Sequence, residues 1–214
     1  MQTSLYQRLA APWREAVEQA WLASKAGSLP IGAVVVDREG CVVARGFNQR
    51  LARQPGGHPL AGSAVAHAEI VALGSIKYHR PLQHLALYST TEPCPMCHGA
   101  IWMAGIGELH FASRDPYLGA TRSFAQLPFA TRANCRVFGP ESKALEQRLV
   151  VLLIERLLKL SGGRFAIDSW RSVSEDVEPQ ARRLHAQGLI DKLIAQDASC
   201  EQMLQQVGQS LAAG

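Results

Sequence analysis

The chain has few cysteines, no long apolar run and no dense block of one charge. It holds five cysteines in 214 residues, at positions 41, 94, 97, 135 and 200. An odd, scattered set does not make a disulfide framework, and a close Cys-x-x-Cys pair in a reducing compartment reads as metal or redox chemistry instead. The richest apolar run, Leu149 to Ile154, is bounded by Arg148 and Glu155. It falls well short of the roughly 20 residues that a membrane span needs. The first residues show neither a basic start followed by an apolar stretch nor a small-residue cleavage site. No membrane partner and a cytoplasmic location are therefore the expectations. Net charge is only +4, with 13 basic against 8 acidic side chains in residues 1–140 and 9 against 10 in residues 141–214. A nucleic-acid surface would show a denser basic patch.

What is present reads as alternating helix and strand. Leu5, Leu9, Trp13, Val17 and Trp21 recur every four residues, and Pro12 suits a first helical turn, so a helix is expected from about Ala11. Ala33–Asp37 and Cys41–Phe47, split by Glu39-Gly40, predict a hairpin. Residues 54–66 are rich in Gly and Pro and predict a loop. Residues 66–77 predict a helix with Ile70, Leu73 and Ile76 on one face. A strand at Leu85–Ser89, a helix at Cys94–Ala104, a strand at Glu108–Ala112 and a short one at Asn134–Phe138 follow. This order predicts an α/β fold: a mixed sheet between helical layers, with parallel neighbours across the helical crossovers and one antiparallel pair in the hairpin.

After Pro140 the pattern turns helical. The expected organisation is one domain over 1–140 and a helical C-terminal extension over 141–214. A buried helix is expected over the Leu-rich stretch 149–160, a break at Ser161-Gly162-Gly163, and short helices over 178–187 and 189–196. A last helix over 200–211 would open on a capping box between Ser199 and Gln202.

The chemistry lies in His67-Ala68-Glu69 and Pro93-Cys94-Pro95-Met96-Cys97. Two cysteines spaced Cys-x-x-Cys at a helix start can turn toward one point, where the helix N-terminus favours thiolate. One imidazole and two sulfurs suit Zn2+, and three protein ligands leave a position for water, as in a catalytic site. A redox dithiol would not need His-Ala-Glu upstream. A structural zinc would want a fourth ligand, and Cys135, Cys200 and His98 lack the matching context. Glu69, two residues from His67, is poorly placed to share the metal but within reach of the water position, where it would act as a proton carrier.

These two motifs resemble the cytidine/deoxycytidylate deaminase superfamily, and this pairing is the signature by which zinc deaminases are described. Thr91–Ile101, Pro30–Val34 and Gly46-Phe47-Asn48 are similar to the branch of guanine deaminases and tRNA adenosine deaminases. The resemblance covers roughly residues 10–125. It implies a five-stranded sheet in a three-layer α/β/α fold, and a homodimer. It also implies zinc held by His67, Cys94 and Cys97, Glu69 as the catalytic proton shuttle, and substrate contacts from Asn48 and Ala68.

The implied reaction is hydrolytic deamination of a nucleobase or nucleoside, with guanine as the first candidate. A longer connection between Asn48 and His67 and a near-neutral tail depart from the compact tRNA enzymes. Ser113-Arg114-Asp115, Gly119-Ala120 and Ser123 resemble them. A tRNA adenosine deaminase is the alternative, and a non-catalytic zinc-stabilised scaffold a second one, against which the intact Glu69 argues.

Overall fold

A computed structural model describes residues 3–52, 58–77, 82–128, 134–161 and 167–212. The predicted loop at 54–66 is described from His58 onward, and the expected glycine break at 162–163 lies outside the described residues. The elements are α1 (Leu5–Arg8), α2 (Ala11–Lys25), β1 (Gly32–Val36), β2 (Val42–Phe47), α3 (Ala68–Gly74), β3 (Ala86–Ser89) and α4 (Pro95–Ala104). They continue with β4 (Glu108–Phe111), α5 (Thr121–Ala125), β5 (Arg136–Phe138), α6 (Lys143–Ser161), a 3-10 helix (Ile167–Ser172), α7 (Val177–Gln187), α8 (Leu189–Ala195) and α9 (Cys200–Ala212).

The sheet runs β2-β1-β3-β4-β5. The expected single antiparallel pair is corrected to two, because β1 is antiparallel to both β2 and β3. The crossover from β2 through α3 to β3 does preserve strand direction, but it steps over β1 instead of joining neighbours. The pairs β3·β4 and β4·β5 are parallel, as helical crossovers require.

β1 is buried along its whole length and sorts its side chains by the two-residue period of a strand. Val34 and Val36 join a core with Trp13, Val17 and the leucines of α6, while Ala33 and Val35 join a core with Ala68, Ala72 and Ile101. The sheet is thus a middle layer, with α2 and α6 on one face and α3 and α4 on the other.

Both helical layers sit close to backbone. A Cβ on Gly32 would lie 2.2 Å from the Ala16 carbonyl oxygen, and one on Gly46 would lie 2.2 Å from that of Ala68. α3 is shorter than its expected span. It buries Ala68, Glu69, Val71 and Ala72, leaving Ile70, Leu73 and Ile76 only partly covered, because the small side chains allow the closest approach to β2.

The C-terminal helices follow the sequence pattern, with Gly188 in the left-handed region between α7 and α8. The capping box forms: the Gln202 amide donates to Ser199 Oγ at 3.2 Å and the Ser199 amide to Gln202 Oε1 at 2.8 Å. α5 and the 3-10 helix had no periodic signal in the sequence.

Gly46→Ala is expected to push α3 off β2. The cost should be about 1–3 kcal/mol in chemical denaturation, with reduced zinc retention on dialysis.

Candidate metal centre and active site

His67 is the N-cap of α3 and Cys94 the N-cap of α4, each in extended backbone just before its helix begins. Pro95 opens α4, where its missing amide costs nothing. Cys97 follows within the first turn and is fully buried. The sequence places these residues 27 and 30 positions from His67, and the fold brings them together. The His67 Nδ1 atom is 3.6 Å from Cys94 Sγ and 3.5 Å from Cys97 Sγ. All three donor atoms lie within 4.8 Å of one another. A tetrahedral zinc with bonds of about 2.3 Å to sulfur and 2.05 Å to nitrogen sets a nitrogen–sulfur separation near 3.6 Å. The donor set and its spacing fit zinc.

The thiols behave as a coupled pair. Hydrogen bonding with Cys97 and then His67 holds Cys94 down at about 4, and the same contact with Cys94 pushes Cys97 far up. His67 is raised by its contact with Cys94. Cys94 is thus ready to act as a thiolate ligand.

Glu69 is 3% exposed, and Ser89 Oγ, at the end of β3, donates to its Oε1 at 3.0 Å. Burial raises its carboxyl above the usual range. A carboxylate that holds and releases a proton is what general acid–base work asks of this position.

His67, Glu69, Cys94 and Asn48 line one cavity of about 360 Å³, and Cys97 is buried at the metal position beside it. The Asn48 side-chain oxygen accepts from Ser28 Oγ at 2.7 Å and from the Arg50 amide at 3.2 Å. Its Nδ2 is buried without a partner among the described residues, and so is Trp170 Nε1, which belongs to another residue of the cavity lining. Ala68 packs its methyl into the core against the sheet, so a substrate can meet it only through its main chain.

His98 points away, as expected for its place on the helix. It is buried against Trp102 and Phe124, and burial lowers it to about 4. His58 accepts the Leu60 amide at 3.2 Å in the loop before the site.

Sequence reasoning missed one wall of this cavity. Asp115, Tyr117 and Leu118 come from the loop after β4. Glu92 anchors that loop, accepting the Asp115 amide at 3.3 Å and the Thr121 amide at 3.2 Å. Arg114 clamps the same loop to α6, its guanidinium reaching both carboxylate oxygens of buried Glu146 at 2.8 and 2.9 Å. Leu153, Leu157 and Leu160 of α6 and Trp170 also line the cavity. The four-residue recurrence of Leu153 and Leu157 was visible in the sequence, but it fits a buried core face equally well.

Three donors that could hold a metal ion, with a buried carboxylate nearby at the edge of a three-layer α/β/α fold, fit a zinc-dependent hydrolytic deaminase. Residues 8–113 match the cytidine and deoxycytidylate deaminase zinc-binding region. The chain belongs to this family. It is 34% identical over 128 residues to a tRNA-specific adenosine deaminase of Bacillus subtilis, covering 56% of this chain and 71% of that one. It is 32% identical over 146 residues to a Schizosaccharomyces pombe protein named as a probable cytosine deaminase, covering 67% and 85%. A solved guanine deaminase from Nitrosomonas europaea shares the fold, with a TM-score of 0.50 and 24% identity over 69% of this chain and 85% of that one. Among the described residues no helix is long and apolar enough to cross a membrane.

Cys97→Ser is expected to abolish stoichiometric zinc, which metal analysis of the purified protein would read directly. Arg114 and Glu146 lie outside the donor set, so Glu146→Gln should retain zinc, and its loosened loop should raise KM more than it lowers kcat.

Proposed function

We propose that this protein hydrolytically deaminates a free nucleobase or nucleoside, with His67, Cys94 and Cys97 holding the zinc and Glu69 carrying the protons. The observation that bears most weight is the single cavity that collects His67, Cys94, buried Glu69 and Asn48, whose Nδ2 has no partner among the described residues. When bound, zinc supplies the Lewis acidity that makes water a nucleophile near neutral pH.

Ser89 Oγ holds one oxygen of the Glu69 carboxylate, which shares the cavity with His67 and Cys94. Glu69 takes one proton from water and delivers it to the ring nitrogen as the water oxygen bonds to the adjacent amine-bearing carbon, then carries the remaining hydroxyl proton to the amine as its C–N bond breaks. Ammonia leaves, and the water oxygen remains as the ring carbonyl. The orphan donors of Asn48 and Trp170 suit a ring that carries acceptors on its edge, since a buried donor left unmatched is costly.

The cavity is closed on one side by α6 and Trp170, which supports a small substrate. Guanine is the first compound to test. The reading as a tRNA adenosine deaminase is favoured by the 34% identity to the Bacillus subtilis protein of that name. The electrostatics argue against it, because among the described residues the lining holds one Lys or Arg, Arg50, beside Glu69, Glu92 and Asp115, whereas an RNA grip relies on several Lys and Arg. The proposal includes a homodimer. Met96 and Met103, seven residues apart on α4, are 37% and 84% exposed and leave an apolar strip for a second copy.

The test is ammonia release by zinc-loaded protein over bases, nucleosides and a tRNA stem-loop. Glu69→Gln is expected to keep its zinc and lose turnover by about 10²–10⁴-fold. Near-normal turnover in that variant would remove Glu69 from the mechanism, and activity confined to the stem-loop would favour the second reading.

A further inference from the structure

The C-terminal helices do more than complete the core. Leu153, Leu157 and Leu160 fall on one face of α6 and all three line the cavity. Leu153 and Leu157 are buried, while Leu160 is 42% exposed and marks the solvent side. Trp170, from the 3-10 helix, is buried behind them, with its ring centroid 6.4 Å from that of Tyr117 across the cavity lining. Tyr117, Leu118 and Leu51 are exposed at 52%, 48% and 42%. Isolated exposed apolar residues are ordinary, but here four of them, from three separate segments, surround one opening, and such clusters mark a binding surface.

We infer that α6 and the 3-10 helix are the specificity element of this pocket, and that they select an uncharged, unphosphorylated ring. The inference rests on the small-substrate reading above and names its chemical class. A nucleotide with its amine at the donor trio and its phosphate along this wall would meet Leu153, Leu157, Leu160 and Trp170. Leucine and indole return none of the hydration that the phosphate would lose. Among the described residues, Arg50 is the one Lys or Arg of the lining, and Glu69, Glu92 and Asp115 share the cavity with it. A ring without phosphate meets the opposite situation, since its faces are apolar and the rim offers leucine and tyrosine surface to cover them.

The experiment compares kcat/KM of the full-length, zinc-loaded protein on its best base or nucleoside with that on the matching 5′-monophosphate. The unmodified protein is expected to favour the unphosphorylated compound by about 100-fold or more. Leu160 is accessible enough to accept a charge, so Leu160→Lys should retain zinc and fold while narrowing that ratio roughly tenfold through a new phosphate contact. Leu160→Gln, polar but uncharged, should weaken the unphosphorylated substrate without helping the monophosphate.

Equal turnover of monophosphate and parent compound by the unmodified protein would overturn the inference. So would a ratio unchanged in Leu160→Lys at full zinc content and normal Tm, and that outcome leaves the small-substrate reading standing. Activity of the unmodified protein on the tRNA stem-loop alone would overturn both, and it shows before any variant is compared.

Discussion

The candidate metal centre depends on two helices beginning at the same place. His67 and Cys94 are both N-caps, so each leaves extended backbone at the point where its side chain must turn inward. The carboxyl ends of β3 and β4 lie at this same edge, delivering Ser89 to Glu69 and the Ser113–Asp115 loop to the cavity. Open α/β sheets place ligands beyond the carboxyl ends of their parallel strands, where helices and loops diverge. The convergence also has an electrostatic logic. The N-terminus of α4 faces two sulfurs that must carry negative charge to bind metal, and its unpaired amides favour that charge.

The position of α3 follows from packing against β2 more than from its own length. Seven residues form a marginal helix in isolation. What holds it is close contact with backbone at Gly46 and the small buried side chains of Ala68 and Ala72. On the other face, Gly32 lets α2 approach in the same way. The register Gly32↔Phe47 and Ala33↔Gly46 puts the two glycines on adjacent rungs. The middle layer is therefore thinnest next to Asn48, where the chain leaves β2 for the site.

Much of the site was legible because its chemistry is local in sequence. His67-Ala68-Glu69 and the Cys94/Cys97 pair each carry their spacing within a single turn of chain, and the resemblance joins them. The hairpin, the helical crossovers and the Ser199 capping box were readable for the same reason, as short-range patterns with short-range causes. Strand order was not legible. Nothing in the residues of β1 says that it will be inserted between β2 and β3, because that choice is made by how α3 packs after the crossover. The wall from α6 was hidden for a different reason. Leu153 and Leu157 satisfy the pattern of a core helix, and their second role appears only once the loop that carries Tyr117 lines the same cavity. The 3-10 helix that carries Trp170 has no apolar period by which it could have been found.

Leu153, Leu157 and Trp170 belong to the same apolar core as Trp13, Val34 and Val36, and they also face the cavity. Arg114 and Glu146 tie the same helix to the loop that forms the opposite wall. Foldedness and selectivity thus draw on one set of side chains. Reshaping this pocket for a larger ring would hollow the packing that supports β1, so new substrates should be more accessible through Leu160, Tyr117 and Leu118 at the rim than through residues deeper in the wall. The molecule is evolvable at its edge and conservative at its centre.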